Sequence, residues 1–177
     1  MIEDTLTAQK TAVLSTARGM CAAARTAPKT RGIDYIDACV VTGEDIHTLA
    51  DEMDRLADKL GYAFFHRDAQ NVRSSTAVVV IGSTYKQRGL GGGCAYCNFE
   101  NCTQCAKKDG VCVYDPLDLG IALGSAVSIA ADARIDNRIM FSAGKAALSL
   151  KLLGPDVKLA MGIPLSASGK SPYFDRK

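Results

Sequence analysis

A chain of 177 residues with a net charge of +2, 47% hydrophobic and 23% charged residues has the balance of a folded domain with a sizeable core, not of a disordered tail. With no tryptophan, 6% aromatics and no basic run interleaved with rings, it lacks the surface of a nucleic-acid binder. No apolar run reaches the length of a membrane span, and Met1-Ile2-Glu3-Asp4-Thr5 lacks the basic and apolar regions of a secretion signal, so a soluble cytoplasmic chain with reduced thiols is expected.

The first element is a helix, carried by Leu6, Val13, Ala17, Met20, Cys21 and Ala24 at helical spacing and ended by Ala27-Pro28. Asp34 to Val41 reads as a strand. Thr42-Gly43-Glu44-Asp45 reads as an approximate capping box before a second helix with apolar Ile46, Leu49, Ala50, Met53, Leu56, Ala57 and Leu60. The unbroken run Ala77-Val78-Val79-Val80-Ile81-Gly82 predicts a strand covered on both faces. Beyond a cysteine-rich segment, Leu119, Ala122, Leu123, Ala126, Val127 and Ala130 define a helix whose other sides carry Gly120, Gly124 and Ser125, small enough for close packing of backbone or a flat ligand. A fourth helix is expected over 136–153, and Lys158 to Ile163 gives a last strand before a polar tail. These elements predict one α/β (α+β) domain over 1–177, three layers around a central sheet, with a cysteine-rich insertion at 88–115.

Five of the seven cysteines fall within nineteen residues: Cys94, Cys97, Cys102, Cys105 and Cys112, spaced C-x2-C-x4-C-x2-C-x6-C behind Gly91-Gly92-Gly93. Thiols this dense hold a metal, an iron–sulfur cluster or disulfides. A cytosolic chain with an odd thiol count argues against disulfides. Structural zinc prefers knuckles about 12–20 residues apart, whereas here only four residues separate them, and neither His47 nor His66 is near in sequence. Thiolates three and five positions apart suit a chain wound round a [4Fe–4S] cluster, although the spacing matches neither common ferredoxin pattern. Cys94, Cys97 and Cys102 form the tightest group. The fourth ligand is Cys105 or Cys112; Cys112 is favoured because a cubane's last thiolate usually arrives from a separate segment.

The tail Gly162 to Ser171 imitates a phosphate-binding loop, but six residues rather than four precede Gly169-Lys170-Ser171, and Pro172 prevents a following helix. A looser anion cradle remains: Ser166, Ser168, Gly169, Lys170 and Arg176, with Lys29 and Arg31 of a second basic loop reaching the same anion. Exposed basic segments explain both equally well. His47 reads as a surface residue, His66 as partly buried beside Phe64 and Phe65, Asp136-Asn137-Arg138 as a helix cap with a salt bridge, and Cys21 and Cys39 as small core residues.

Four segments carry a resemblance: Ala23 to Lys29, Cys94-Ala95-Tyr96-Cys97, Asp118 to Val127, and the tail from Gly162 to Arg176. Together they resemble an uncharacterised prokaryotic family of ferredoxin-domain-containing proteins. That resemblance implies recurrence of the positions of Cys94, Cys97, Cys102 and Cys112 above that of Cys105. More distantly, Ala27-Pro28 after the first helix and the late basic segment are similar to the nitroreductases, although the arginine-serine pair that opens their first helix has no match. This second likeness implies a nitroreductase-like fold, FMN and a homodimer. The expectation is a redox protein with one [4Fe–4S] cluster, passing electrons to a flavin, with an electron-donor or electron-acceptor protein and a small-molecule substrate as partners. The rivals are a ferredoxin-like electron carrier and a zinc-stabilised module; neither nucleic acid nor membrane enters as a partner.

Overall fold

The computed structural model describes residues 2–174. Helix α1 (Thr5–Thr26) opens where the Asp4 carboxylate accepts the Leu6 and Thr7 amides at 3.0 Å, and ends as Ala27 turns extended ahead of Pro28. Strand β1 (Ile36–Val41), α2 (Glu44–Leu60), α3 (Phe64–Arg73) and β2 (Ala77–Thr84) follow. The cysteine segment then contains a 3-10 turn (Gly91–Gly93) and one short α-helix, α4 (Cys102–Lys107), and leads into α5 (Tyr114–Asp132). The chain closes with β3 (Asp136–Asn137), α6 (Phe141–Ser149) and β4 (Val157–Ser166).

The four strands form one antiparallel sheet in the order β1-β2-β4-β3. β2 is central, and its alternation feeds two cores. Val78 and Val80 face α2, α3 and α6, while Ala77, Val79 and Ile81 face α1 and α5. Full burial of each such side chain is worth about 1.5–3 kcal/mol, which explains why the run carries no polar residue until Ser83. The three expected layers are present.

Local expectations are corrected at several places. The second helix is capped not by Thr42 but by Gly43, in the left-handed region at φ 61°, with no side-chain cap. Helix α3 was not anticipated, although Phe65, Asp68, Ala69 and Val72 form a buried helical stripe. The expected helix over 136–153 is shorter, because Asp136 and Asn137 pair with Ser166 and Leu165 and Met140 bridges Gly162, so the chain first covers the edge of β4. Arg138 completes no cap; it donates to the Tyr173 carbonyl at 3.1 Å. Helix α6 then lies flush on β4: a Cβ on Gly144 would come within 2.0 Å of the Ala160 carbonyl oxygen.

Candidate metal centre

Leaving β2 at Thr84, the chain folds back beside α5 and gathers Cys94, Cys97, Cys102, Cys105 and Cys112 around one pocket. A turn closed by the Asn98 amide on the Ala95 carbonyl (3.1 Å) presents the first pair, with Ala95 and Asn98 both at positive φ. A left-handed alanine costs about 1–2 kcal/mol, so the surrounding packing must impose this turn. Cys102 and Cys105 lie on the same face of α4, whose first turn is capped by Asn101 on the Gln104 amide at 3.0 Å. Cys112 arrives from the irregular segment just before α5. Leu90, Phe99 and Val113 supply apolar wall between the thiols.

The five thiols are not equivalent. Cys105 and Cys112 are buried, the other three half-buried. The Cys105 thiol donates to the Gly110 carbonyl at 3.2 Å and accepts from the Gln87 amide at 3.7 Å. Burial, with Cys97 beside it, pushes its pKa up. A ligating thiolate has no proton to give a carbonyl, so this environment suits a thiol better than a ligand. Among the described residues, no group of three or more His, Cys, Asp or Glu side chains is arranged to hold a metal ion; the thiols line a pocket without converging on a point. Their chemistry, soft sulfur in an apolar wall, nonetheless fits an iron–sulfur cluster or another thiophilic metal.

Behind the pocket lies a buried ion network that the sequence reading missed. Arg88, which lines the pocket, is fully buried; it donates to Asp115 at 2.7 Å, to Asp118 at 2.9 and 3.2 Å and to the Lys86 carbonyl at 2.6 Å, and its guanidinium lies 4.7 Å from the centre of the Tyr35 ring. Asp115 also accepts the Lys86 amide, and burial raises its pKa against the pull of that amide and Arg88. Asp118 accepts the Thr30 amide (3.1 Å) and hydroxyl (2.8 Å). The only sequence signal was two aspartates three residues apart on a helix otherwise poor in charge.

The predicted anion cradle is dispersed. Lys29 is almost fully buried and donates to the Ala24 carbonyl at 2.8 Å and to the Arg25 carbonyl, capping the C-terminus of α1. Arg31 is exposed and donates to the Arg88 carbonyl at 2.8 Å. Ser166 is buried at the end of β4, Ser168 donates to the Lys170 carbonyl at 2.7 Å, and Gly169 and Lys170 are exposed. Arg176 lies outside the described residues. Strand direction separates the two segments. The 29–32 turn precedes Ile36, at the sheet end where Ile36 faces Ser83, whereas the tail leaves the opposite end beyond Leu165. The ten residues of β4 make that span about 30 Å.

An uncharacterised protein of Archaeoglobus fulgidus is 44% identical to this chain over 165 residues, 89% of this chain and 88% of the relative. Residues 108–176 match the family described as uncharacterized proteins containing a ferredoxin domain, DUF2148. The chain belongs to the DUF2148 family. The matched span of this DUF2148 protein takes in Cys112, α5, α6, β4 and the tail, and leaves the other four clustered cysteines outside. Its fold is that of the nitroreductases. A putative nitroreductase from Desulfovibrio desulfuricans, solved with FMN, is similar at a TM-score of 0.59 and 12% identity, covering 92% of this chain and 78% of that one. An FMN-dependent nitroreductase from Mycobacterium smegmatis, solved with NADPH, gives 0.59 and 14% identity over 88% and 78%.

The remaining DUF2148 candidates serve structure. His66 is exposed rather than partly buried, and its Nδ1 and Nε2 meet Asp54 (2.7 Å) and Asp58 (3.2 Å), pinning α3 to α2. His47 is exposed, as expected. Cys21 and Cys39 are half-buried against the cores, and burial pushes the Cys39 pKa up to about 11, which makes that thiol slow to react. Among the described residues no helix is long and apolar enough to cross a membrane.

Proposed function

We propose that this protein is an iron–sulfur redox protein in which Cys94, Cys97, Cys102 and Cys112 ligate one [4Fe–4S] cluster and Cys105 stands beside it as a thiol. The observation that carries the reading is that five cysteines, spread over nineteen residues, line one pocket. The family's description as ferredoxin-containing supports it. When bound, such a cluster supplies one-electron transfer at a potential set by charge, burial and hydrogen bonds to sulfur. The chain's own contribution is to line the pocket with the apolar side chains of Phe99 and Val113, and to hold Arg88 as a fixed positive charge in the wall. Iron analysis of two variants tests the ligand set. Cys112→Ser should lose iron and Cys105→Ser should keep it; the reverse overturns the assignment. Colourless protein with one tightly bound zinc would favour the structural module instead.

The nitroreductase-like fold favours a second reading, in which the chain works with FMN as an oxidoreductase on a small-molecule substrate. Within one protomer the residues do not assemble the expected cradle: Lys29 is committed to α1, and the Arg31 turn and the Ser168–Lys170 tail leave opposite ends of the sheet. A cradle using both would need a second copy of the chain. Calorimetric titration with FMN decides it: binding weakened at least about tenfold by Lys170→Ala with Arg176→Ala supports a tail phosphate site. No binding by the unmodified chain leaves an iron–sulfur carrier that meets an electron-donor or electron-acceptor protein.

A further inference from the structure

We propose that Arg88 is a positioning residue that couples the cysteine pocket to the 29–32 turn, so that occupancy of the pocket and the conformation of the turn influence each other. The network has an unusual arrangement. Arg88 belongs to the pocket wall, yet its guanidinium is gripped on the far side by two carboxylates of α5. One of these, Asp118, also receives both the amide and the hydroxyl of Thr30. The turn returns the contact, since Arg31 donates to the backbone carbonyl of Arg88 itself. Arg31 is held at φ 61°, a left-handed conformation that persists for a non-glycine residue only where its surroundings impose it.

These bonds close a ring through three segments: the approach to Cys94, the first turns of α5 after Cys112, and the 29–32 turn. All of them converge on one fully buried cation. A shift of Arg88 that followed emptying of the pocket would unpair a carboxylate that Thr30 shares. Letting the turn relax would leave Arg88 with one carboxylate too loosely held. Buried ion networks tolerate neither half-state, and this makes the link two-way. Lys29 at the head of the turn is already locked on α1, so movement is confined to Thr30–Ile33.

Two experiments test the coupling, and only the first depends on the iron–sulfur reading. Hydrogen exchange of cluster-loaded and metal-stripped protein should show the amides of Thr30–Ile33 exchanging about tenfold faster without metal, with Phe65–Val72 of α3 unchanged. Equal exchange at the turn in both states overturns the proposal. The second uses metal-free protein throughout. Thr30→Val keeps the shape of the side chain and removes its bond to Asp118, outside the cysteine pocket. Alkylation by iodoacetamide at Cys94, Cys97 and Cys102 should rise about fivefold relative to Cys39 in the same sample. An unchanged ratio, in this variant and in Arg88→Lys, also overturns it. If the purified protein holds no metal at all, the cluster reading falls and the alkylation ratio alone decides the coupling.

Discussion

Gly110 is the residue on which the packing of the cysteine pocket can be tested without touching a thiol. Its carbonyl accepts from Cys105 and Gln87, and a Cβ built there would stand 2.4 and 2.6 Å from the Phe99 ring and 3.0 Å from the Cys105 sulfur. Carbon atoms pack best at about 3.5–4.0 Å, so the ring would have to retreat by roughly 1 Å into the pocket. Overpacking of this kind costs about 1–3 kcal/mol. For a chain of this length each kcal/mol moves the melting temperature by about 2–4 °C, which predicts a loss of roughly 2–12 °C for Gly110→Ala and a lowered iron content. Gly120 provides the contrast. It lies mid-helix in α5 with open space around its missing Cβ, so Gly120→Ala should gain about 0.8–1 kcal/mol from helix propensity and raise the melting temperature by roughly 2–4 °C. Scanning calorimetry of both variants reads the opposite signs. A Gly110→Ala protein that melts with the parent and loads iron normally would refute the described packing. A loss at Gly120 would mean that this face of α5 is covered by another chain.

Lys29→Met should lower stability by about 1.5–3 kcal/mol in urea titration, because the ammonium caps the last carbonyls of α1; unchanged stability would refute that role. The Asp54 hydrogen bond raises the His66 pKa, so this contact contributes stability that is fully present below the ordinary histidine pKa of about 6.5 and is lost as pH rises through the raised folded value. Melting curves of the parent between acidic and mildly alkaline pH should therefore fall relative to those of His66→Asn, and parallel curves would contradict the clasp. Stripping metal should raise hydrogen exchange over 91–112 more than in either helix layer, since this segment has little apolar core of its own; uniform protection would count against a cofactor-dependent loop.

What the sequence made legible follows from how local each signal is. Helices α1 and α2 were readable because each has a long apolar period facing one core, strand β2 because its unbroken apolar run is buried on both faces, and the cysteine cluster because its density needs no fold to be noticed. Helix α6 was overextended because Ile139 continues the helical spacing, while the unpaired edge of β4, which claims 136–140, is a tertiary feature. Helix α3 had its stripe in Phe65, Ala69 and Val72, but ten residues crowded with charge gave it little contrast. The burial of Arg88, Asp115 and Asp118 depends on which segments meet, and no residue type announces it. Within one protomer the two halves of the expected cradle stay apart for a topological reason: two basic segments that look alike in sequence leave an antiparallel sheet at opposite ends.

The central claim is that the five-cysteine pocket holds one cubane cluster. Iron and acid-labile sulfide, measured together with zinc on protein purified without oxygen, test it most directly. The account predicts iron and sulfide in equal amounts, about four of each per chain, with negligible zinc. Protein carrying about one zinc per chain and no sulfide would contradict it.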